Sequence, residues 1–159
     1  MALSDKIVGL HYRHPDYYEV GREKIREYAE AVKNIDAAFF EEHAAADLGY
    51  DALLAPLTFI SVFGYQAQSA FFESADVAIN DANIVQVDQV LKFLLPIKVG
   101  DRLYCDVYVD SVRQSFGTDV IVTKNIVSNE AGETVQEAYT TLVGRSDGEG
   151  EEGFTNAIA

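Results

Sequence analysis

Residues 52–72 read ALLAPLTFISVFGYQAQSAFF, and no charged side chain interrupts them. A segment of this length could cross a bilayer on its apolar content alone. However, Pro56 and several hydroxyl and amide side chains break the apolar run. The flanking Asp51 and Glu73 are acids rather than the Lys or Arg that anchor membrane helices. The pattern therefore predicts a helix over residues 57–73 that begins after Pro56 and is covered by protein on most of its sides.

The chain downstream of this helix changes from a helical period to a period of two. Between residues 101 and 112, apolar side chains occupy the odd positions from Leu103 to Val109, whereas Arg102 and Asp106 occupy even ones. Similar patterns predict four long strands, at residues 84–95, 101–112, 118–128 and 134–144. Short turns join these strands, which predicts antiparallel neighbours with one covered face.

A buried helix followed by consecutive antiparallel strands predicts an α+β protein of hot-dog fold. In this architecture the antiparallel β-sheet wraps around the long central helix, so that both apolar surfaces are buried together. A single curved sheet leaves its edge strands open. We therefore expect edge-to-edge pairing with a second hot-dog subunit.

The other segments are shorter or more polar. Apolar residues at helical spacing predict an amphipathic helix at 21–34, and a second, short helix at 41–48 ends at Gly49. The first twenty residues are short apolar pieces without a clear period. We predict one domain over residues 1–145 and an acidic, disordered tail over residues 146–159.

Composition limits the possible partners and the compartment. The 159 residues include 12 Lys and Arg against 26 Asp and Glu, a formal charge of −14. This charge argues against binding nucleic acid or an anionic membrane, because both attract cationic surfaces. A single cysteine, Cys105, argues against disulfides and a structural zinc site, and we expect it in the core. The chain opens without a recognisable signal peptide, which favours a cytoplasmic protein.

Four separated blocks resemble a known family. Residues 92–103, KFLLPIKVGDRL, are similar to the strand-and-turn signature of MaoC-like hydratases and dehydratases. Residues 8–13, 22–29 and 54–59 resemble one subgroup, the mycobacterial-type (3R)-hydroxyacyl-acyl carrier protein dehydratases, and within it the A subunits. The resemblance implies dehydration of a (3R)-3-hydroxyacyl thioester to a trans-2-enoyl thioester, without a cofactor, in fatty-acid or mycolic-acid elongation.

The catalytic residues of that family are replaced at the matching positions. The family uses an Asp and a His five positions apart, because a proton must leave C2 while the C3 hydroxyl departs as water. The matching positions carry Asn34 and Phe39, and Pro56-Leu57 replaces the usual His-Gly before the central helix. The resemblance thus implies a non-catalytic, substrate-binding subunit. A catalytic hot-dog partner would supply the Asp/His dyad, while this chain shapes the channel for the acyl thioester of acyl carrier protein or coenzyme A.

Six polar or aromatic residues are candidate ligand contacts. Ser61 and Tyr65 share one helix face and could line a channel, although core packing would explain them equally well. Gln89 interrupts an apolar face, so it either bonds neighbouring backbone or faces a substrate cavity, with Gln86 on the opposite face. Lys124 and Asn125 could meet the pantetheine or phosphate arm, or they could be ordinary exposed strand residues.

Other titratable residues allow alternative functions. Asp36 and His43 could form a displaced dyad, although their spacing of seven favours solvated side chains. They would make the chain a homodimeric (R)-specific enoyl-CoA hydratase, and the chain could also homodimerise when isolated. A third function is a non-enzymatic acyl-thioester binding module. His11 and His14 lack a visible third ligand, which favours surface positions over a metal site.

The charge of −14 also bears on carrier docking. Acyl carrier proteins are themselves acidic, so the two proteins should repel each other at long range. Docking would then use the partner subunit or a local basic cluster. That cluster consists of Arg22, Lys24, Arg26 and Lys33.

Overall fold

The computed structural model describes residues 3–146 and 152–156. These residues form four α-helices, all in the first half of the chain: α1 (Leu3–Ile7), α2 (Arg22–Ala31), α3 (Glu42–Asp47) and α4 (Ile60–Ser74). The eight strands are β1 (His11–Arg13), β2 (Tyr18–Glu19), β3 (Val77–Ile79), β4 (Ile84–Phe93), β5 (Arg102–Ser115), β6 (Thr118–Ser128), β7 (Thr134–Arg145) and β8 (Phe154–Asn156). None of the helices in these residues is long and apolar enough to span a membrane.

The central helix is α4. A 3₁₀ turn at Leu57–Phe59 follows Pro56 and leads directly into this helix. It ends at Ser74, and Asp76 then takes a left-handed conformation with φ of 53°. Phe63, Ala67 and Phe71 recur at intervals of four and are buried in the core. Ile60 and Phe72 are buried as well, and Val62 packs against the core, so the helix is covered on most sides, as predicted. Tyr65, in contrast, is 62% exposed.

The main sheet is antiparallel and has six strands, in the order β1-β5-β6-β7-β4, with β2 paired to β5 beside β1. Its inner face packs against α4, and the resulting core includes Phe63, Phe71, Cys105, Ile121 and Val127. A sheet wrapped around one long helix is the hot-dog architecture, so the predicted α+β fold is confirmed. β4 is the edge strand at the end of the path.

Strand β5 shows how closely the sequence alternation follows burial. Leu103, Cys105, Val107 and Val109 are buried, as the odd-numbered apolar positions predict. The strand runs three residues beyond its predicted end at 112, to Ser115. Only two residues then turn the chain into β6, both with positive φ, which is the tight turn that suits the twist of a hairpin.

The structure corrects the prediction of a disordered tail from residue 146. β8 pairs antiparallel with β3, and Phe154 is only 5% exposed, with its ring centroid 5.8 Å from that of Phe72. Gly144 makes room for this ring, since a Cβ there would lie 2.8 Å from Phe154. A single large aromatic residue therefore fixes a segment that its polar neighbours led us to assign to the tail. The other residues predicted to be disordered, 147–151 and 157–159, lie outside the described residues.

We expect Phe154→Ala to destabilise the fold by about 3 kcal/mol, because it removes a buried aromatic ring and leaves a cavity beside Phe72. Urea denaturation followed by circular dichroism would measure this loss. Thr155→Ala is the matched control, since Thr155 is exposed on the same strand. Equal stability of the two variants would show that β8 does not hold the domain together.

The first residues contain a helix that the sequence pattern did not reveal. α1 spans only Leu3–Ile7, which is too short for a helical period to be recognised. Its Ile7 is completely buried in the common core, and the Lys6 ammonium donates to the Asp76 carbonyl at 2.7 Å. Tertiary contacts of this kind stabilise short helices that have no stability of their own.

Cys105 lies in the core, as predicted, and we expect it to resist thiol reagents in the folded protein. Its side chain is completely buried, and burial raises the pKa of Cys105 to about 12. At pH 8 only about one thiol in ten thousand would then be ionised. Ellman's reagent should release almost nothing from the native chain and one equivalent after denaturation in guanidinium. Rapid reaction of the native chain would contradict the burial.

Candidate functional site

A cavity of about 290 Å³ lies between α4 and the inner face of the sheet. Helix and sheet both contribute polar side chains to its wall, in contrast to the apolar core, to which α4 contributes Phe63 and Phe71. The lining residues are Ile60, Ser61, Gly64, Tyr65, Gln68, Gln86, Gln89, Asn125, Ala138 and Thr140.

The helix side of the cavity is one face of α4. Ser61, Gly64, Tyr65 and Gln68 are spaced at i, i+3, i+4 and i+7, which places them above one another on the same side. A Cβ at Gly64 would lie 3.5 Å from the Asn125 amide nitrogen, which is an ordinary van der Waals contact. The sheet amide therefore lies directly against the helix at this position.

The sheet side is built from three neighbouring strands. Asn125 on β6 lies opposite Ala138 on β7, and Thr140 on β7 lies opposite Gln89 on β4. Residues on one face of a strand alternate, so Ala138 and Thr140 point the same way. The cavity wall thus continues across the sheet from β6 to the edge strand β4.

A β-bulge in β4 corrects the predicted placement of Gln86. Gln86 is paired with Leu142 and Asp88 with Thr141, so Val87 is an extra residue without a partner. Such an insertion reverses the alternation downstream of it. Gln86 and Gln89, which regular alternation places on opposite faces, therefore both line the cavity.

Hydrogen bonds tie part of this polar wall together. The Thr123 hydroxyl donates to Gln68 Oε1 at 2.8 Å, and Gln89 Nε2 donates to Thr140 Oγ1 at 3.4 Å. Asn125 Nδ2 donates to the Gly64 carbonyl at 3.4 Å. Asn125 Oδ1 is buried and has no hydrogen-bond partner in the described part of the chain. Such an acceptor is unusual in a folded protein.

Lys124 is the predicted site residue that the structure does not bring to the cavity. As the strand neighbour of Asn125, it points to the outer face of the sheet. There its ammonium lies 5.3 Å from the centre of the Tyr139 ring, and hydrogen bonding to Tyr139 raises the pKa of Lys124. A role of Lys124 at a phosphate arm stays a prediction.

The two residues that the resemblance places at the family dyad, Asn34 and Phe39, can supply neither an acid nor a base, and their match to the dyad stays a prediction. Asn34 is exposed just after α2, and Phe39 is half-buried and packs against the core. The nearby Asp36 accepts a hydrogen bond from the Ala38 backbone N–H at 2.9 Å and thereby caps a 3₁₀ turn. His43 is exposed, 3.1 Å from Glu41. Neither Asp36 nor His43 lines the cavity.

The two N-terminal histidines have different surroundings. His11 is exposed, stacks on Tyr108 with ring centroids 4.3 Å apart and contacts Asp106 at 2.7 Å. His14 is half-buried with its ring edge towards Phe63, which corrects its predicted surface position. Among residues 3–146 and 152–156, no three His, Cys, Asp or Glu side chains are grouped so that they could hold a metal ion.

Three of the four residues of the predicted basic cluster lie on α2 and pair with neighbouring acids, whereas Lys33 lies two residues after the end of this helix. Arg22 is paired with both Glu42 and Glu23, and Arg26 also contacts Glu23, at 3.4 Å. Lys24 lies 3.7 Å from Glu27. An acidic carrier protein therefore meets little net positive charge on this helix.

The cavity can bind a polar ligand but is poorly suited to acid–base chemistry. Its described lining contains no Asp, Glu, His, Lys, Arg or Cys, and Tyr65 is its one titratable residue. General acid–base catalysis near neutral pH needs groups with a pKa near that pH. Sequence reasoning found Ser61, Tyr65, Gln86, Gln89 and Asn125, and it missed Gln68 and Thr140. Gln68 could have been found, because it lies seven residues, or two helical turns, after Ser61 and therefore on the same face of the helix.

An antiparallel sheet wrapped around one long helix defines a hot-dog protein. The chain belongs to the FAS1-like dehydratase domain region family, whose model matches residues 6–138. Among its relatives is a UPF0336 protein of Mycobacterium tuberculosis, 68% identical over the full length of both chains. A second UPF0336 protein of that organism is 50% identical over 91% of this chain and 87% of its own.

Solved structures agree with this membership. The chain is similar to one in the crystal structure of a C-terminally truncated HadBC (3R-hydroxyacyl-ACP dehydratase) complex from Mycobacterium tuberculosis. The two are 49% identical with a TM-score of 0.81, covering 89% of this chain and 100% of the other. A MaoC-like dehydratase is 39% identical, with a TM-score of 0.81, over 91% of this chain and 44% of its own. A MaoC-like dehydratase from Rhodospirillum rubrum shares the fold, with 17% identity and a TM-score of 0.71 over 93% of this chain and 99% of its own. The predicted resemblance is thus confirmed.

Proposed function

We propose that this chain is the non-catalytic, substrate-binding subunit of a heterodimeric (3R)-hydroxyacyl-acyl carrier protein dehydratase. A catalytic hot-dog partner supplies the Asp/His dyad, and this chain shapes the channel for the acyl thioester. The reaction would serve fatty-acid or mycolic-acid elongation.

The observation that carries this proposal is a cavity whose described lining includes no Asp/His pair. The polar cavity of about 290 Å³ is lined by amides and hydroxyls, and none of its described lining residues carries a carboxylate or an imidazole. The resemblance places Asn34 and Phe39 at the dyad positions. Amides and hydroxyls can position a thioester, whereas removal of the C2 proton needs a base. The 49% identical relative in a dehydratase complex supports a partner that supplies this base.

The edge strand β4 is the surface that we assign to the partner. Val85, Val87, Val90 and Phe93 are exposed apolar residues on this strand, and β4 is paired on one side only. An open edge rich in apolar side chains is a template for pairing with another chain. Gln86 and Gln89 lie on the same strand, so the cavity would be next to the subunit boundary.

The direct test is hydration of crotonoyl-CoA, the reverse of dehydration, by this chain alone and after mixing with its catalytic hot-dog partner. We expect no measurable rate from the chain alone and a large rate from a complex that co-elutes on size exclusion. The partner alone is the necessary control. If the chain alone were active after repurification, the proposal would be wrong, and loss of that rate in Asp36→Asn would support the (R)-specific hydratase instead.

A different result would favour a binding module. If the partner were fully active alone, and its chain-length range were unchanged by this chain, the chain would hold thioesters without contributing to turnover.

Carrier docking is assigned to the partner subunit, because the cations on α2 are already paired with Glu23, Glu27 and Glu42. Charge reversal of Arg22 should then leave the KM for the acyl carrier protein substrate within about twofold.

A further inference from the structure

Asp119, near the start of β6, is a buried carboxylate on the inner face of the sheet. It is 8% exposed and alternates with Ile121 and Thr123, which are also buried. Its cross-strand neighbours are Gln114 on β5 and Gly144 on β7. No residue that the structure describes forms a hydrogen bond or an ion pair with its side chain, although buried acids in proteins are almost always paired.

The C-terminal strand β8 contributes to this burial. The Phe154 ring lies against Gly144, because a Cβ there would be 2.8 Å from the ring, and Gly144 is the residue opposite Asp119. The Phe154 side chain is itself 5% exposed. Removal of β8 would therefore uncover the inner face of the sheet next to the Asp119 carboxylate.

Backbone hydrogen bonds attach the segment before β8 to two other parts of the chain. The Gly153 N–H donates to the Arg145 carbonyl at 2.9 Å, and the Gly153 carbonyl accepts from the Asn80 N–H at 2.8 Å. Gly153 also lies against Ile84, the first residue of the edge strand β4. The two hydrogen bonds therefore report directly on whether the C-terminal segment is attached.

Few charged groups surround Asp119. A cavity of about 360 Å³ adjoins it at this end of the sheet, and the other charged residues of its described lining are Arg113 on β5 and Glu152 before β8. Helix α1 contributes Leu3 and Ser4 to the lining, and β8 contributes only uncharged side chains. Desolvation thus acts on Asp119 without a compensating ion pair in the described part of the chain.

This burial favours the neutral carboxyl. It raises the pKa of Asp119 above its ordinary value of 3.8, because the charged form loses water. If β8 detached, the carboxyl would regain water and its pKa would fall towards the ordinary value. The attached state therefore holds the proton more tightly. Its gain is complete below the ordinary pKa and is lost as the pH rises through the raised pKa.

We propose that attachment of β8 is linked to proton uptake by Asp119, so that the C-terminal strand is held more tightly when this carboxyl is neutral than when it is ionised. Mild acid strengthens the attachment, and neutral pH weakens it. Near neutral pH, Phe154 and the pairing of β8 with β3 hold the strand against the cost of a buried charge.

The test is hydrogen exchange of single amides in the full chain, for wild type and for Asp119→Asn, which is neutral at every pH. Protection factors are compared, because they remove the pH dependence of the intrinsic exchange rate. The amides of Asn80 and Gly153 report on attachment. In wild type we expect their protection to rise by about threefold or more between about pH 7.5 and about pH 4.5. Asp119→Asn should show the higher protection at both values.

Asp88→Asn is the matched control, because Asp88 is an exposed residue of β4. Its protection factors at Asn80 and Gly153 should follow those of wild type at both pH values. The amides of β6 serve as an internal reference for opening of the whole domain. If Asp119→Asn raised protection in β6 but not at Asn80 and Gly153, the rest of the domain would bury Asp119 without β8, and the inference would be wrong. Equal protection of wild type and Asp119→Asn at about pH 7.5 would also overturn it.

Discussion

Val87→Asp is expected to weaken association with the catalytic partner by at least about a hundredfold, and to abolish the hydration rate at micromolar protein. Val87 is the bulged residue of the edge strand β4 and is 57% exposed in the single chain. If the partner covers this edge, a carboxylate here would be buried without a counter-charge, which is strongly unfavourable. Size exclusion and the hydration assay at several concentrations would measure both effects.

Val32→Asp is the matched control for the edge variant. Val32 follows α2 and is exposed to a similar degree, but it does not lie on the sheet edge. The control should retain co-elution and activity. Should Val87→Asp also co-elute with the partner at full activity, β4 would not be the interface, and the subunits would meet through another surface.

Phe63→Ala is expected to lower the free energy of unfolding by about 3–5 kcal/mol, a large fraction of the roughly 5–15 kcal/mol that is typical of folded proteins. Phe63 is 1% exposed and lies on the core face of α4, with its ring centroid 5.3 Å from that of Tyr18. Truncation would leave a cavity between helix and sheet that the rigid strands cannot close. Urea unfolding monitored by circular dichroism gives the value directly.

Tyr65→Ala separates the two faces of the same helix. Tyr65 is exposed and lines the cavity, so its truncation should change the stability of the isolated chain by less than about 1 kcal/mol. Its effect should appear in the KM of the complex for the thioester. Equal destabilisation by the two variants would contradict the assignment of a core face and a cavity face.

The site shows how far sequence patterns reach. Ser61 and Tyr65 follow from helical spacing, and Asn125 follows from its place in a regular strand, because both periods are fixed by backbone geometry. Gln86 was placed on the wrong face, since the bulge at Val87 depends on pairing with β7 and leaves no local signal. Lys124 was grouped with Asn125 as a neighbour in sequence, although alternation places neighbours on opposite faces.

The tail and the N-terminus illustrate a second limit. The polar residues before Phe154 predict disorder by composition, and α1 is too short to show a period. In each segment one apolar side chain, Phe154 or Ile7, enters the common core. Such a side chain can be buried only where distant parts of the chain leave space for it. The space for the Phe154 ring lies beside Gly144 and Phe72.

By itself, the sequence determined the hot-dog fold, the four long strands, the central helix and the family, because these depend on periodicity and on local residue blocks. The resemblance also implies Asn34 and Phe39 at the positions of the family's acid and base, and this match stays a prediction. Only the tertiary structure decided that five of the six candidate residues share one cavity, and that within the described part of the chain its lining is neutral and the Asn125 oxygen has no partner. The physical reason is that hydrogen-bond pairing and burial depend on residues far apart in the chain, which strand register and a single bulge bring together.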